Sequence, residues 1–201
     1  MAKSFNEALK ERRSIYELSR RSTLDDQQLK ELLQFAVKHV PSAYNSQSTR
    51  LVLLTGKAHE KLWDIVKDTL QKIVPEDAFA RTRDKIDVSF ASGYGTVLFF
   101  EDEEVVENQQ KKFPTYADNF PIWSQHTSAM HQLVIWTMLE DAGMGASLQH
   151  YNPLIDKTVT EHWHLPEKWK LIAQMPFGKA VGKPAEKEFE PVEKRVLAFS
   201  E

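Results

Sequence analysis

Three short stretches of this chain carry side chains that could act on a ligand. The first is ERRSIYEL, with Arg12, Arg13 and Ser14 in a row. Two guanidiniums and a hydroxyl are good phosphate ligands, being charged, forked and able to bond in pairs. A solvated helix end carries the same residue types, because cations there suit the helix dipole. The second is PSAYNSQ, with Ser42, Asn45 and Gln47. Hydroxyls and amides offer donors and acceptors without charge, as the edge of a uracil-like ring requires. Ser and Asn are equally at home in an ordinary helix-to-strand loop. The third is DAGMGASLQHY, in which Gly143 and Gly145 precede Leu148, Gln149 and His150. Glycines let the chain turn tightly out of a helix, and the strand that follows can present backbone N–H groups. The order here is helix to strand, so this is no dinucleotide fingerprint, which places its glycines between a strand and a helix. A plain C-cap and turn would look the same.

Other chemistries find little support. The chain has no cysteine, which excludes disulfides, thiol catalysis and cysteine metal sites and suits a reducing cytoplasm. His126 and His131 are off the i, i+4 spacing of a helical metal pair, and there is no HExxH, so no metal is expected. Neither a GxSxG elbow nor a Walker loop is present. A formal net charge of -3 gives no basic field for nucleic acid or anionic lipid. No apolar run is long enough to span a membrane, and MAKSFNEALKERRS lacks the apolar core of a signal peptide. With 201 residues, 41% hydrophobic and 27% charged, the chain reads as one domain, 1–201, of a cytoplasmic protein.

The elements that must position these stretches follow from periodicity and caps. SFNE is a capping box that starts a helix from about Phe5 to Arg13. Thr23 is the expected cap of the next helix, which carries Leu29, Leu33 and Ala36 at helical spacing and stops at Pro41. Leu51 to Leu54 reads as a buried strand, Lys57 to Ile73 as an amphipathic helix, and Glu76 to Phe90 as another. Thr96 to Phe100 is a second strand. The polar stretch EEVVENQQKKFPTYADNFP reads as a surface excursion. Ile122 to Ala142 is the longest helix, with Gly143 as its C-cap, and GASLQHY is a third strand. Asn152 and Pro153 fit the start of a helix to about Trp163. Leu171 to Phe177 is a fourth strand, and RVLAF in the tail is strand-like. Helices and isolated strands alternate without core hairpins, which implies α/β or α+β layers.

Taken in order, RRS near residue 12, PSAxNxQ at 41–47 and GxGAS from 143 resemble the flavin-dependent nitroreductase family over essentially the full length. RRSIYEL, PSAYNSQS and GASLQHYNP are most similar to the copper-induced and fatty-acid-repression branch. The resemblance implies an α+β fold: a three-layer α-β-α arrangement with a mainly antiparallel central sheet, in an intertwined homodimer. It implies FMN at the dimer interface, NADH or NADPH as reductant, and a small electron-poor acceptor such as a nitroaromatic or quinone in a ping-pong cycle. Position by position, Arg12, Arg13 and Ser14 match phosphate and ribityl contacts. Ser42, Asn45 and Gln47 match the loop that meets the flavin ring, and Leu148, Gln149 and His150 the strand facing its reactive edge. Lys194 and Arg195 match a C-terminal basic pair on the phosphate.

The chain departs from the common family pattern at three places. Tyr16 stands where many members carry lysine, Ser48 where many carry proline, and His150 where glycine or an acid is usual. No acid–base residue is assigned; His150 and Tyr16 are the titratable groups beside the implied ring. A flavin-binding sensor or store with little turnover, and a phosphate-binding regulator without flavin, remain as alternatives.

Overall fold

The computed structural model describes residues 3–200. The chain opens with α1, Phe5–Glu11, and the Ser4–Glu7 capping box is present in both directions. The helix ends before the expected Arg13, because Arg12 leaves helical backbone angles and turns the chain away. A short strand β1, Leu18–Ser19, follows, and then α2, Asp26–His39. Asp25, not Thr23, caps α2: its carboxylate accepts from Gln28 N–H while the Gln28 side chain accepts from Asp25 N–H. Thr23 instead donates its hydroxyl to the Ala142 carbonyl at 2.6 Å. An acid with a reciprocal Gln three residues on satisfies two orphan donors where a lone threonine would satisfy one.

The strands β2, Thr49–Thr55, and β3, Gly95–Asp102, enclose α3, Gly56–Gln71, and α4, Glu76–Ser89. The polar stretch after β3 is not an irregular excursion. It forms α5, Glu103–Lys112, and a 3-10 segment, Pro114–Asn119. Asp102 caps α5, Glu103 and Glu104 sit in its first turn and Lys111 and Lys112 in its last, all in accord with the helix dipole. Periodicity missed it because Val106 is its one buried residue. Then come α6, Phe120–Asp141, β4, Gly145–Ala146, α7, Asp156–His162, and β5, Trp169–Ala180. Gly143, at φ +79, closes α6: its N–H reaches Glu140 O and the Met144 N–H reaches Leu139 O.

The strands form one sheet in the order β1-β5-β3-β2, with β4 also on β5, and every strand pairing is antiparallel. Two cores lie on its two faces. Leu54, Leu98, Phe100 and Leu171 pack with Leu62, Trp63, Val66 of α3, Ile86 of α4 and Val159 of α7. Val97, Phe99, Ala173, Met175 and Phe177 pack with Leu29, Leu33, Ala36 of α2 and Ile135, Leu139 of α6. This is the α-β-α layering expected. Alternate residues of β3 serve opposite cores, as a strand dictates. In β5 the residues Leu171 and Ala173 share parity yet face opposite cores. The register shift between Phe99 and Phe100 explains it: Phe99 faces Ala173 and Phe100 faces Leu171, so Ile172 is the extra residue of a bulge.

Three further expectations need correction. GASLQHY is not one continuous strand. After Ala146 the register to β5 persists, with Ser147 N–H on Pro176 O and Gln149 exchanging both bonds with Gln174. Pro176 has no N–H to return to Ser147, so the ladder lapses there. The last helix starts at Asp156 rather than at Pro153; the Asn152 side chain accepts from Gln174 Nε2 at 3.3 Å instead of capping a helix. RVLAF forms no strand. It follows a 3-10 turn, Val192–Lys194, and Val196, Leu197 and Phe199 are exposed.

Candidate functional site

The fold unites two of the three stretches. As the chain leaves α1, Ser14 forms a parallel bridge with Ala146, and Ile15 N–H donates to Ala146 O at 2.9 Å. Gly145 is required for this approach, since a Cβ there would lie 2.9 Å from the Ile15 Cβ and 3.2 Å from the Ala180 Cβ. Arg12, Arg13 and Ser14 are thereby fixed against the strand that leads to Leu148, Gln149 and His150. Gln149 is anchored through Gln174, and its amide donates to Ser147 Oγ at 3.0 Å. His150 is exposed, whereas Leu148 and Gln149 are half-buried.

The three cationic and hydroxyl groups differ in what they touch. Arg13 donates to the Ala185 carbonyl at 2.8 Å, and a cavity of about 260 Å³ opens there beside Ser14, Tyr16, Glu17 and Lys183. Lys183 is a cation that the sequence did not single out. The Arg12 guanidinium lies over the Trp136 ring, 4.3 Å from its centroid, and its Nε is buried without a hydrogen-bond partner. Burial and the neighbouring Arg13 both disfavour its charged form, partly offset by Glu140, and its pKa is lowered. A half-desolvated cation with an unused donor gains free energy from an anion beside it.

The second stretch is held rigidly elsewhere. Tyr44, Asn45 and Gln47 all adopt positive φ, at 54°, 52° and 51°. Such angles cost non-glycine residues about 1–3 kcal/mol each unless surroundings enforce them. Here they do. The Tyr44 ring packs on Phe113, Phe120 and Trp123 at 4.6, 5.4 and 6.0 Å. Ser42 Oγ accepts from Gln47 N–H at 3.0 Å, and Arg50 donates to the Gln47 carbonyl at 2.7 Å while pairing with Asp102 at 2.9 Å. Ser48 and Thr49 both donate to the buried carboxylate of Glu101. Asn45 and Gln47 remain exposed. Ser42 and Gln47 line a groove of about 710 Å³ between α2 and the outer edge of β2, with Lys30, Lys38, Arg50 and His131 among its walls.

Among the described residues, no hydrogen bond or ion pair joins the Ser42–Gln47 loop to Arg12–Ser14 or to Leu148–His150. Lys194 and Arg195 lie in the exposed tail, away from any described ion pair. Sequence reasoning missed Glu101, Trp136 and Lys183. For Glu101 a signal existed: it follows four consecutive apolar residues of a strand buried on both faces, so an acid was due to be buried there. No group of three or more His, Asp or Glu suited to a metal ion occurs among the described residues, and no described helix is long and apolar enough to cross a membrane.

Known proteins resemble this chain over most of its length. The profile of the Nitroreductase family matches residues 9–179. Nitroreductase FRM2 of Saccharomyces cerevisiae is 34% identical over 186 residues, which is 90% of this chain and 91% of that protein. The structure of nitroreductase CinD from Lactococcus lactis superposes with a TM-score of 0.90 at 44% identity, over 98% of this chain and 100% of that one, and was solved with nicotinic acid. Other CinD structures hold chloramphenicol and 4-nitrophenol. A nitroreductase structure from Saccharomyces cerevisiae aligns with a TM-score of 0.74 at 31% identity, over 88% of this chain and 96% of that one. With the family profile over most of its length and relatives alike from end to end, the chain belongs to the nitroreductase family and is an oxidoreductase of the nitroreductase type.

Proposed function

We propose that this protein is an FMN-dependent oxidoreductase that takes electrons from NADH or NADPH and passes them to an electron-poor small molecule, and that it works as a homodimer of single-domain chains. The observation that carries the proposal is Arg12: a partly buried guanidinium with an unused Nε, fixed beside Arg13 and Ser14 against the Gly145–Ala146 strand. That donor set fits a phosphate monoester. Ser42, Asn45 and Gln47 supply neutral donors and acceptors that fit the pyrimidine edge of a flavin, and a loop held by Glu101, Arg50 and Tyr44 keeps them in place. Bound FMN would supply the reversible two-electron chemistry that links nicotinamide and acceptor. The chain's part is to orient that group, to bond its polar edge without charge and to keep cations for its phosphate, with Lys194 and Arg195 as further candidates. The ligands of CinD are of this chemistry: a pyridine acid and two nitroaromatics.

The dimer is supported by what one chain leaves uncovered. β2 has β3 on one side and an open edge on the other. Phe35 and Val37 of α2, and Ile122, Met130 and Leu133 of α6, are exposed. So are Phe189, Val192, Val196, Leu197 and Phe199 of the tail. Exposed apolar area on this scale marks an interface. A second copy brought against the groove beside Ser42 and Gln47 would set its own Arg12–Ser14 and Leu148–His150 opposite that loop, completing a site that one chain holds in two parts.

The test is to purify the full chain with added flavin, release the bound cofactor by heat and identify it, then add NADH or NADPH anaerobically. FMN bleached by NADH or NADPH and re-oxidised by 4-nitrophenol is the expected result. FAD or no flavin overturns the cofactor assignment. FMN that neither NADH nor NADPH reduces favours a sensor or store.

A further inference from the structure

The surroundings of Arg12 pose a puzzle of charge. Glu140 on α6 acts on Arg12 electrostatically, and Glu11, its chain neighbour, is joined to Glu140 through Lys3. Glu140 is four residues beyond Trp136, on the same helix face as the indole that Arg12 covers. A guanidinium beside a carboxylate ordinarily forms a forked pair with it. Here it does not. Both carboxylates are occupied by Lys3, whose ammonium lies 2.8 Å from Glu11 and 2.5 Å from Glu140. The Lys3 backbone N–H is tied to Asp141 at 2.7 Å, which straps this residue to the end of α6.

We propose that Trp136 and Lys3 are positioning residues for Arg12. The indole carries the guanidinium by its face and leaves its N–H edge free for phosphate, and the lysine removes the two carboxylates that would compete for that edge. The inference rests on the FMN reading of the site. Stacking is the one strong contact a guanidinium can make without using its donors. The platform is itself anchored, since Trp136 is half-buried and packs against the core formed by α2, α6 and the sheet. At the other end, the Arg12 backbone N–H is fixed on Ala8 O at 2.8 Å. The side chain is thus held at its root and along its face, with only the edge uncommitted.

The distinguishing measurement is the preference for FMN over riboflavin, which differ by the phosphate alone. Affinities are read by flavin fluorescence on the full-length protein stripped of cofactor. Wild type should prefer FMN by tenfold or more. Trp136→Leu should lose about tenfold of that preference, within the range of a desolvated cation–π contact, with riboflavin affinity unchanged. Trp136→Phe should keep most of it. Lys3→Met should also lose it, as the freed carboxylates capture Arg12, and adding Glu11→Gln and Glu140→Gln should restore it. Wild type that binds neither flavin overturns the FMN reading and the inference together. Wild type that prefers FMN while Trp136→Leu keeps the full preference overturns the inference alone. If Trp136→Leu fails to fold, the lysine series decides: undiminished preference in Lys3→Met, or no recovery on removing both carboxylates, overturns it.

Discussion

The Ser48 hydroxyl donates to the buried carboxylate of Glu101 at 2.5 Å, across 53 positions of sequence. Thr49 donates to the other oxygen at 2.5 Å, and Asp102 N–H meets Ser48 O at 3.0 Å. Ser48 stands where a proline is common in the resemblance, and a proline could not make the first of these bonds. The end of the Ser42–Gln47 loop is therefore clamped to the middle of the sheet by a carboxylate without a cation of its own, since Arg50 is paired with Asp102.

Glu101→Ala should destabilise the fold by about 1–3 kcal/mol, the cost of leaving buried hydroxyls unbonded, and should loosen the loop. Burial raises the Glu101 pKa above 4.5; the two hydroxyls and Arg50 oppose the rise, and Asp102 adds to it. A raised folded pKa means that the group's contribution is complete below the unfolded value and is lost as pH rises through the folded one. Denaturant titrations from pH 4 to 8 should show wild type losing stability relative to Glu101→Gln as pH rises. A constant difference between the two would contradict this.

Arg12→Ala should leave the protein folded and weaken FMN binding by roughly ten- to a hundredfold, from the loss of about 1.5–3 kcal/mol of charge-assisted bonding. Arg21→Ala is the control. Arg21 is exposed and contributes its backbone carbonyl, not its guanidinium, to the fold through Lys179 N–H. Equilibrium dialysis of both variants gives the comparison; equal retention would misplace the site.

His59 predicts an acid limb. It is buried between Thr96 and the Ala91 carbonyl, at 2.9 and 3.3 Å, and Thr96 also accepts from Trp63 at 3.1 Å. Burial, aided by Arg20 and opposed by the Ala91 bond and Glu60, lowers its pKa from 6.5 to about 4. The neutral ring's contribution is therefore complete above pH 6.5 and is lost on acidification toward pH 4, by up to about 3 kcal/mol at roughly 1.4 kcal/mol per unit. His59→Gln should be less stable at pH 8 and show a shallower decline. An acid limb as steep as wild type would assign it to other groups.

Light scattering should give twice the chain mass of 23.2 kDa. Deletion of residues 189–201 removes Phe189, Val192, Val196, Leu197 and Phe199, which are exposed in their own chain. The shortened protein should dissociate at micromolar concentration and release its flavin in the same range. A stable dimer without the tail would place the interface on α2 and α6 alone.

Much of this molecule was legible in residue order alone, wherever the physics is local. Ser4 and Glu7 announce α1, the spacing of Leu29, Leu33 and Ala36 announces α2, and Gly143 marks the end of α6, because caps and periodicity act within a few residues. The types of the site residues were legible too, since phosphate and a neutral ring edge each demand particular donors. Hidden were relationships between distant segments. That GASLQHY breaks after Ala146 depends on Pro176, which lacks the N–H the ladder needs there. That Leu171 and Ala173 part to opposite faces depends on a bulge set by the neighbouring strand. Glu101 under Ser48, and Trp136 under Arg12, arise only when the sheet and α6 bring them together. RVLAF has strand composition but pairs with no described strand of its own chain. A sequence specifies what each residue can bond; only packing decides which partner is within reach.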